Sequence, residues 1–160
     1  MSSAEVIARR LIEEGFNEGN LSVADDLVSP SIVEHQNFGP GHAPGAEGVK
    51  AVISSLRCAF SDFHLTIDDL AVNGDTVWLR MTGTGTNDGS FMGHRPTGRP
   101  MRTGIFDALH VENDRIVEHW GIPDRLGTLF QLGLVEPPGG APSSGPAVRH
   151  AAAGDLARTG

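Results

Sequence analysis

In the stretch FDALHVENDRIVEHWGIPDRLG, Phe106 to Gly127, the side chains of Asp107, His119 and Asp124 interrupt residues that otherwise read as two β-strands and the start of a helix. A carboxylate and an imidazole facing one another in an apolar setting can remove a proton next to a carbonyl and deliver one to the oxyanion that develops. The connection HVENDRI decides whether they meet. A three-residue loop with Asp114 in the left-handed conformation pairs Val111 with Arg115 and sets Asp107 across from His119. A two-residue loop sets Asp107 across from Trp120 and separates the pair. We read the first register, because Asp and Asn tolerate left-handed backbone. It gathers Ile105, Asp107, Leu109, Val117, His119 and Gly121 on one face. The competing reading of the pair is an ion pair that fills a polar gap in the sheet.

Other polar residues have plainer readings beside the chemical one. Asp124 follows Pro123 and precedes RLG, a helix N-cap position, or it is a second pocket acid. Trp120 packs on the sheet or walls a pocket. The seven histidines, at 35, 42, 64, 94, 110, 119 and 150, form no HxxxH or HxH pair and have no cysteine partner. They therefore supply no zinc template, and we assign no metal. His35, His119 and Asp107 are the one set that could form a facial triad. There is no serine-histidine-acid motif.

The elements that must position these groups follow from hydrophobic spacing. Val6, Ile7, Leu11, Ile12 and Phe16 recur at helical intervals over Ala4 to Phe16. LSVADDLV is a short second helix that Ser22 could cap, SIVEHQNF is extended, and AEGVKAVISSLRCAF is a third helix. Four strands follow, FHLTIDDLAV, DTVWLRMTGTGT, MRTGIFDALHV and RIVEHWGI, separated by turn signals. PDRLGTLFQLG closes the pattern as a short helix. Helices followed by consecutive antiparallel strands read as α+β, with the helices packed on one concave face of a bent sheet.

At 160 residues with 39% hydrophobic content, the chain is the size of one domain. From Glu136 onward it is rich in Pro, Gly, Ala and Ser, so we divide it into a folded domain, 1–135, and a flexible tail, 136–160. A formal charge of −8 with a single lysine, Lys50, argues against the clustered basic footprint needed for nucleic acid or anionic lipid. The lone Cys58 allows no internal disulfide and reads as a small core residue. There is no basic-then-apolar leader and no apolar run of about 20 residues. A soluble, cytoplasmic protein is expected.

EGFNEGNLSVADDLVSPSIVEH, PGAEGVKAVI, MGHRPTGRPMR and above all DRIVEHWGIPDRLGTLFQLG resemble the SnoaL-like polyketide cyclases, within the nuclear transport factor 2-like and ketosteroid-isomerase-like superfamily. The resemblance runs to about Val135. It implies a cone-shaped α+β barrel, a curved antiparallel sheet wrapped around the N-terminal helices, with a blind apolar pocket. In the best-understood cyclases of this kind, an aspartate acid/base sits where this chain has Gly121, and its histidine partner sits where this chain has Asp107. Here the strand positions are exchanged, with Asp107 as the acid or base and His119 as its companion. His35, at the end of the first extended segment, falls where relatives place a polar residue at the pocket mouth, or else it bonds to backbone. The expectation is a cofactor-independent enzyme acting on an apolar, carbonyl-bearing, polyketide-like small molecule by intramolecular aldol cyclisation. Asp107 and His119 would be catalytic, with His35, Trp120 and Asp124 contacting substrate. The alternatives are an epoxide hydrolase or hydroxylase-like tailoring enzyme on the same cup, or a non-catalytic binding module. Apolar residues in both alternating sets of VWLRMTGTG and ALHV further suggest a homodimer or higher homo-oligomer.

Overall fold

The computed structural model describes residues 2–139. Helix α1 (Ser3–Arg10) is closed at its start by Ser2, whose hydroxyl accepts the Glu5 amide at 3.1 Å. It does not continue as the regular helix its spacing suggests. From Leu11 to Asn17 the coil widens to a π-helical stretch. Gly15 sits within it, where a Cβ would stand 3.1 Å from Val23 and 3.3 Å from Ile53, so a larger residue would push the segment off its neighbours. Asn17 then ties its end to the sheet, donating to the Leu65 carbonyl at 3.0 Å and accepting the Leu65 amide at 2.7 Å.

Helix α2 (Val23–Leu27) follows without the Ser22 cap that its sequence allowed; Asn20 Oδ1 accepts both the Ser22 amide and its hydroxyl instead. The chain passes directly into β1 (Val28–Glu34), then a loop and α3 (Gly45–Ala59). Strands β2 (His64–Asn73), β3 (Thr76–Thr86), β4 (Pro100–Glu112) and β5 (Arg115–Pro123) precede the closing helix α4 (Arg125–Leu132). Cys58 is exposed on α3, not in the core as its neighbours implied. The tail beyond Gly139 lies outside the described residues.

The mixed α+β fold carries one five-stranded sheet in the order β1-β5-β4-β3-β2. β2 to β5 are antiparallel, while β1 joins the free edge of β5 in parallel. β3 shows the alternation of a sheet with one packed face: Val77, Leu79 and Met81 are fully buried against the helices, whereas Trp78 and Arg80 point away. The core joins these residues to Ala4, Ile7 and Leu11 of the first helical unit, Val23 and Leu27 of α2, and Leu109, Val111 and Ile116 of the β4–β5 hairpin. No helix among the described residues is long and apolar enough to cross a membrane.

The β4–β5 register differs from both readings of HVENDRI. Glu112 pairs with Arg115 around a two-residue turn in which Asn113 and Asp114 both have positive φ, 48° and 59°. Val111 pairs with Ile116 but His110 pairs with Glu118, so Val117 is an extra residue in the ladder. The tight turn alone would have put Asp107 and His119 on opposite faces. The bulge restores the alternation one step later, so Asp107 pairs with Gly121 and Leu109 with His119. Asp107 and His119 therefore share a face as diagonal neighbours rather than direct partners, and Ile116 replaces Val117 on that face.

Candidate active site

The concave face of the sheet and the helices enclose an inner chamber of ≈ 130 Å³. Leu11, Ile12 and Phe16 of the π-helical stretch, Val49, Val52 and Leu56 of α3, and Met81, Ile105 and Leu109 of the sheet make its walls apolar. Among the described residues its titratable lining groups are Glu34, His42, Asp107 and His119, with no Lys or Arg. A wider outer chamber of ≈ 660 Å³ adjoins it between α3, the Phe91–Met92 turn and the start of β4. Gln36, Phe38, His42, Phe63 and Ile105 border both. Phe38 and His42 stack with ring centroids 4.4 Å apart at this junction.

His119 stands between two carboxylates. Its Nδ1 lies 2.8 Å from both Glu34 oxygens, and its Nε2 lies 3.6 Å from Asp107 Oδ2. The second distance is that of an ion pair, slightly long for a hydrogen bond. A carboxylate only accepts, so Nδ1 carries a proton. The side chains of Asp107 and His119 are 17% and 15% exposed, a depth at which unpaired charge is costly. Burial works against the charged imidazole, but the hydrogen bonding and charge of Asp107 and Glu34 outweigh it and push the His119 pKa up to about 9. At neutral pH the site thus holds an imidazolium whose Nε2–H faces the chamber and Asp107.

Gly121 makes this placement possible. A Cβ there would stand 2.9 Å from His119 Nε2 and Cε1 and 2.3 Å from Gln36 Oε1. The imidazole and the Gln36 carboxamide fill the space where a side chain on the last strand would project, and the imidazole leans across it toward Asp107.

Asp107 and His119 are thus brought together; the three supporting residues are not brought to them. His35 turns to the outer face, where its Nε2 is 2.7 Å from Glu118 Oε1 and its ring stacks on Trp120 at 4.5 Å. Trp120 is no wall of the chamber, because beyond the bulge at Val117 the residues Glu118, Trp120 and Ile122 alternate outward; it lines an outer groove with Trp78, Phe106 and Ile122. Asp124 is the N-cap of α4, its carboxylate accepting the Gly127 amide at 2.9 Å. With His35 on the other face, the facial set of His35, His119 and Asp107 is not assembled either.

Glu34 and Gln36 are the residues that the sequence reading passed over. Both flank His35, and the signal was period 2: Ile32, Glu34, Gln36 and Phe38 all line the inner chamber, so the position between Glu34 and Gln36 must face away. Glu34 meets His119 because parallel pairing sets the two in register at the sheet edge, with the His35 amide donating to the His119 carbonyl at 2.9 Å.

The comparisons with known proteins agree with this architecture. The profile of the SnoaL-like polyketide cyclases matches residues 6–132. The aklanonic acid methyl ester cyclase DnrD of Streptomyces peucetius is 30% identical over 138 residues, covering 83% of this chain and 92% of the relative. Among solved structures, TsrD from Streptomyces laurentii superposes with a TM-score of 0.75 at 30% identity, covering 83% of this chain and 96% of the other. Wild-type IdmH from Streptomyces antibioticus superposes with a TM-score of 0.70 at 33% identity, covering 82% and 99%. The cone-shaped α+β barrel, the matched span and these relatives together place the chain in the SnoaL-like polyketide cyclase family.

Proposed function

We propose that the protein catalyses an intramolecular aldol cyclisation of a neutral, polyketide-like ester, with Asp107 as base and His119 as acid. The observation that carries this reading is the carboxylate–imidazolium couple set in an otherwise apolar chamber. Asp107 takes the proton from a carbon between two carbonyls. The enolate attacks a second carbonyl of the same molecule, and His119 Nε2–H protonates the alkoxide as the carbon–carbon bond forms. One proton enters the enzyme and one leaves it, so product and substrate are isomers and no redox partner or cofactor is needed. Transfer of the proton from Asp107 back to His119, across a gap now 3.6 Å, resets the couple.

The chamber's charge bears on the substrate. Two carboxylates face one imidazolium with no Lys or Arg among the described residues, so a free carboxylate on the substrate would be repelled and an esterified one tolerated. The methyl esters in the names of the curated relatives fit that preference. A non-catalytic container gains nothing from a buried charged triad, which is costly to assemble. The test is conversion of cyclisable keto-esters by the purified protein, followed by chromatography and mass, against Asp107→Asn. Product of unchanged mass from the wild type alone supports the reading; equal rates from both proteins refute it.

A second copy of the chain on the outer groove belongs to the same proposal. Trp78, Phe106 and Ile122 are more than half exposed there, and burying such side chains gives about 1.5–3 kcal/mol each.

A further inference from the structure

We propose that Glu34 is the positioning residue of the site: it fixes the tautomer and charge of His119, so that the imidazole presents Nε2–H to the chamber as the acid of the couple. The role rests on the cyclase reading for its chemistry, but its geometry stands without it.

Both oxygens of Glu34 lie 2.8 Å from Nδ1, so the imidazole cannot offer that nitrogen to a substrate. Glu34 is itself held from the other side, since its Oε1 accepts the Gln36 amide at 2.8 Å. The parallel β1–β5 pairing puts Glu34 and His119 in register, so the contact is set by the sheet rather than by a mobile side chain. The same turn carries the Gln36 carboxamide over Gly121, where it lies beside the imidazole.

The groups that face His119 are few. β1 presents Glu34, β4 presents Asp107, and the loop before α3 presents His42 across the chamber. The π-helical stretch, α3, β2 and β3 contribute no titratable group to it. With Asp107 alone, the imidazole could be protonated on either nitrogen, and Asp107 would have to serve as both its charge support and the base. A second carboxylate on the far side separates these duties. It is the logic of an acid–imidazole–substrate chain in which the outer carboxylate orients the ring and stabilises its cation. The raised pKa of His119 agrees with that division.

The test is the histidine titration of the free protein, read by nitrogen NMR on 15N-histidine-labelled samples, with His119→Gln identifying the resonance. In the wild type, His119 should titrate near pH 9, and above it the remaining proton should sit on Nδ1. Glu34→Gln keeps an acceptor for Nδ1–H and removes only the charge, so the tautomer should persist while proton affinity falls about tenfold or more. Glu34→Ala should lose the tautomer as well. A wild-type midpoint near the ordinary 6.5, a residual proton on Nε2, or an unchanged midpoint in folded Glu34→Gln overturns the proposal. Should Glu34→Gln fail to fold, the wild-type spectrum decides by the first two criteria. No substrate is involved. A protein with this titration but no cyclase activity refutes the function and leaves Glu34 standing; an active one whose kcat/KM–pH profile is the same in Glu34→Gln does the reverse.

Discussion

The two faces of the β4–β5 hairpin invert the usual arrangement of a sheet. Its inner face carries Asp107 and His119 among buried apolar residues, while its outer face carries Phe106 and Ile122, 62% and 73% exposed, with Trp120 beside them. In a monomer with one packed face, charge belongs outside and apolar bulk inside. The inversion shows that neither face is explained by folding alone. The inner charges are held by one another at a cost that folding does not require, and the outer apolar residues stand exposed in the described chain. One-residue alternation keeps the two apart, so a change on either face should leave the other untouched.

The largest effect should come from the inner face. Asp107→Asn keeps the shape and removes the base, and is expected to lower cyclisation by at least about 100-fold, with the oligomeric mass unchanged by light scattering. His119→Gln should lose less, since a lost partner leaves residual catalysis. Full activity in both variants would remove the acid/base account of this face.

On the outer face, Ile122→Lys together with Phe106→Glu should convert a dimer into a monomer at micromolar concentration, while the His119 titration stays as in the wild type. A wild-type chain that is monomeric at that concentration would refute the dimer.

A smaller effect is the pH dependence of stability. Because the folded-state pKa of His119 is raised from 6.5 to about 9, the stabilisation from protonating it is complete below 6.5 and is lost as pH rises through 9. Chemical denaturation should show stability falling by a few kcal/mol across that window. The His119→Gln variant should lack the fall, and outer-face variants should keep it.

Gly121→Ala crowds the inner face alone. Its Cβ would press on the Gln36 carboxamide, which can yield, and on the imidazole, which Glu34 holds. Activity should drop about tenfold and the melting temperature by a few degrees; His119 shifted away from Asp107 in a structure of the variant would show why. The smallest effect expected is none: ending the chain after Glu136 should leave melting and activity as they are, because that composition offers no packable face.

The fold class, the helix and strand segments and the presence of an acid and an imidazole on neighbouring strands were legible in the residues. The π-helical stretch was not, since Leu11, Ile12 and Phe16 fit a regular helix equally well and the widening answers to contacts with α2 and α3. Glu34 is marked in the sequence only by the alternation from Ile32 to Phe38, which sets it on the chamber side and His35 on the other. The readings of Asp124 as cap or pocket acid and of Trp120 as packing or wall needed coordinates, because both alternatives obey the same local rules.

Legible from neighbours along the chain were the hydrophobic period, the presence of a turn at Asn113-Asp114 and a net charge of −8. The strand pairing came from the tertiary fold. The turn favoured by Asn113 and Asp114 would have split Asp107 from His119, and a single extra residue at Val117 reversed that outcome. The parallel seat of β1 against β5 brought Glu34 to His119 from 85 residues away. The turn alone does not fix the register of this sheet, because the extra residue at Val117 and the parallel seat of β1 on β5 belong to the sheet as a whole and not to residues adjacent along the chain.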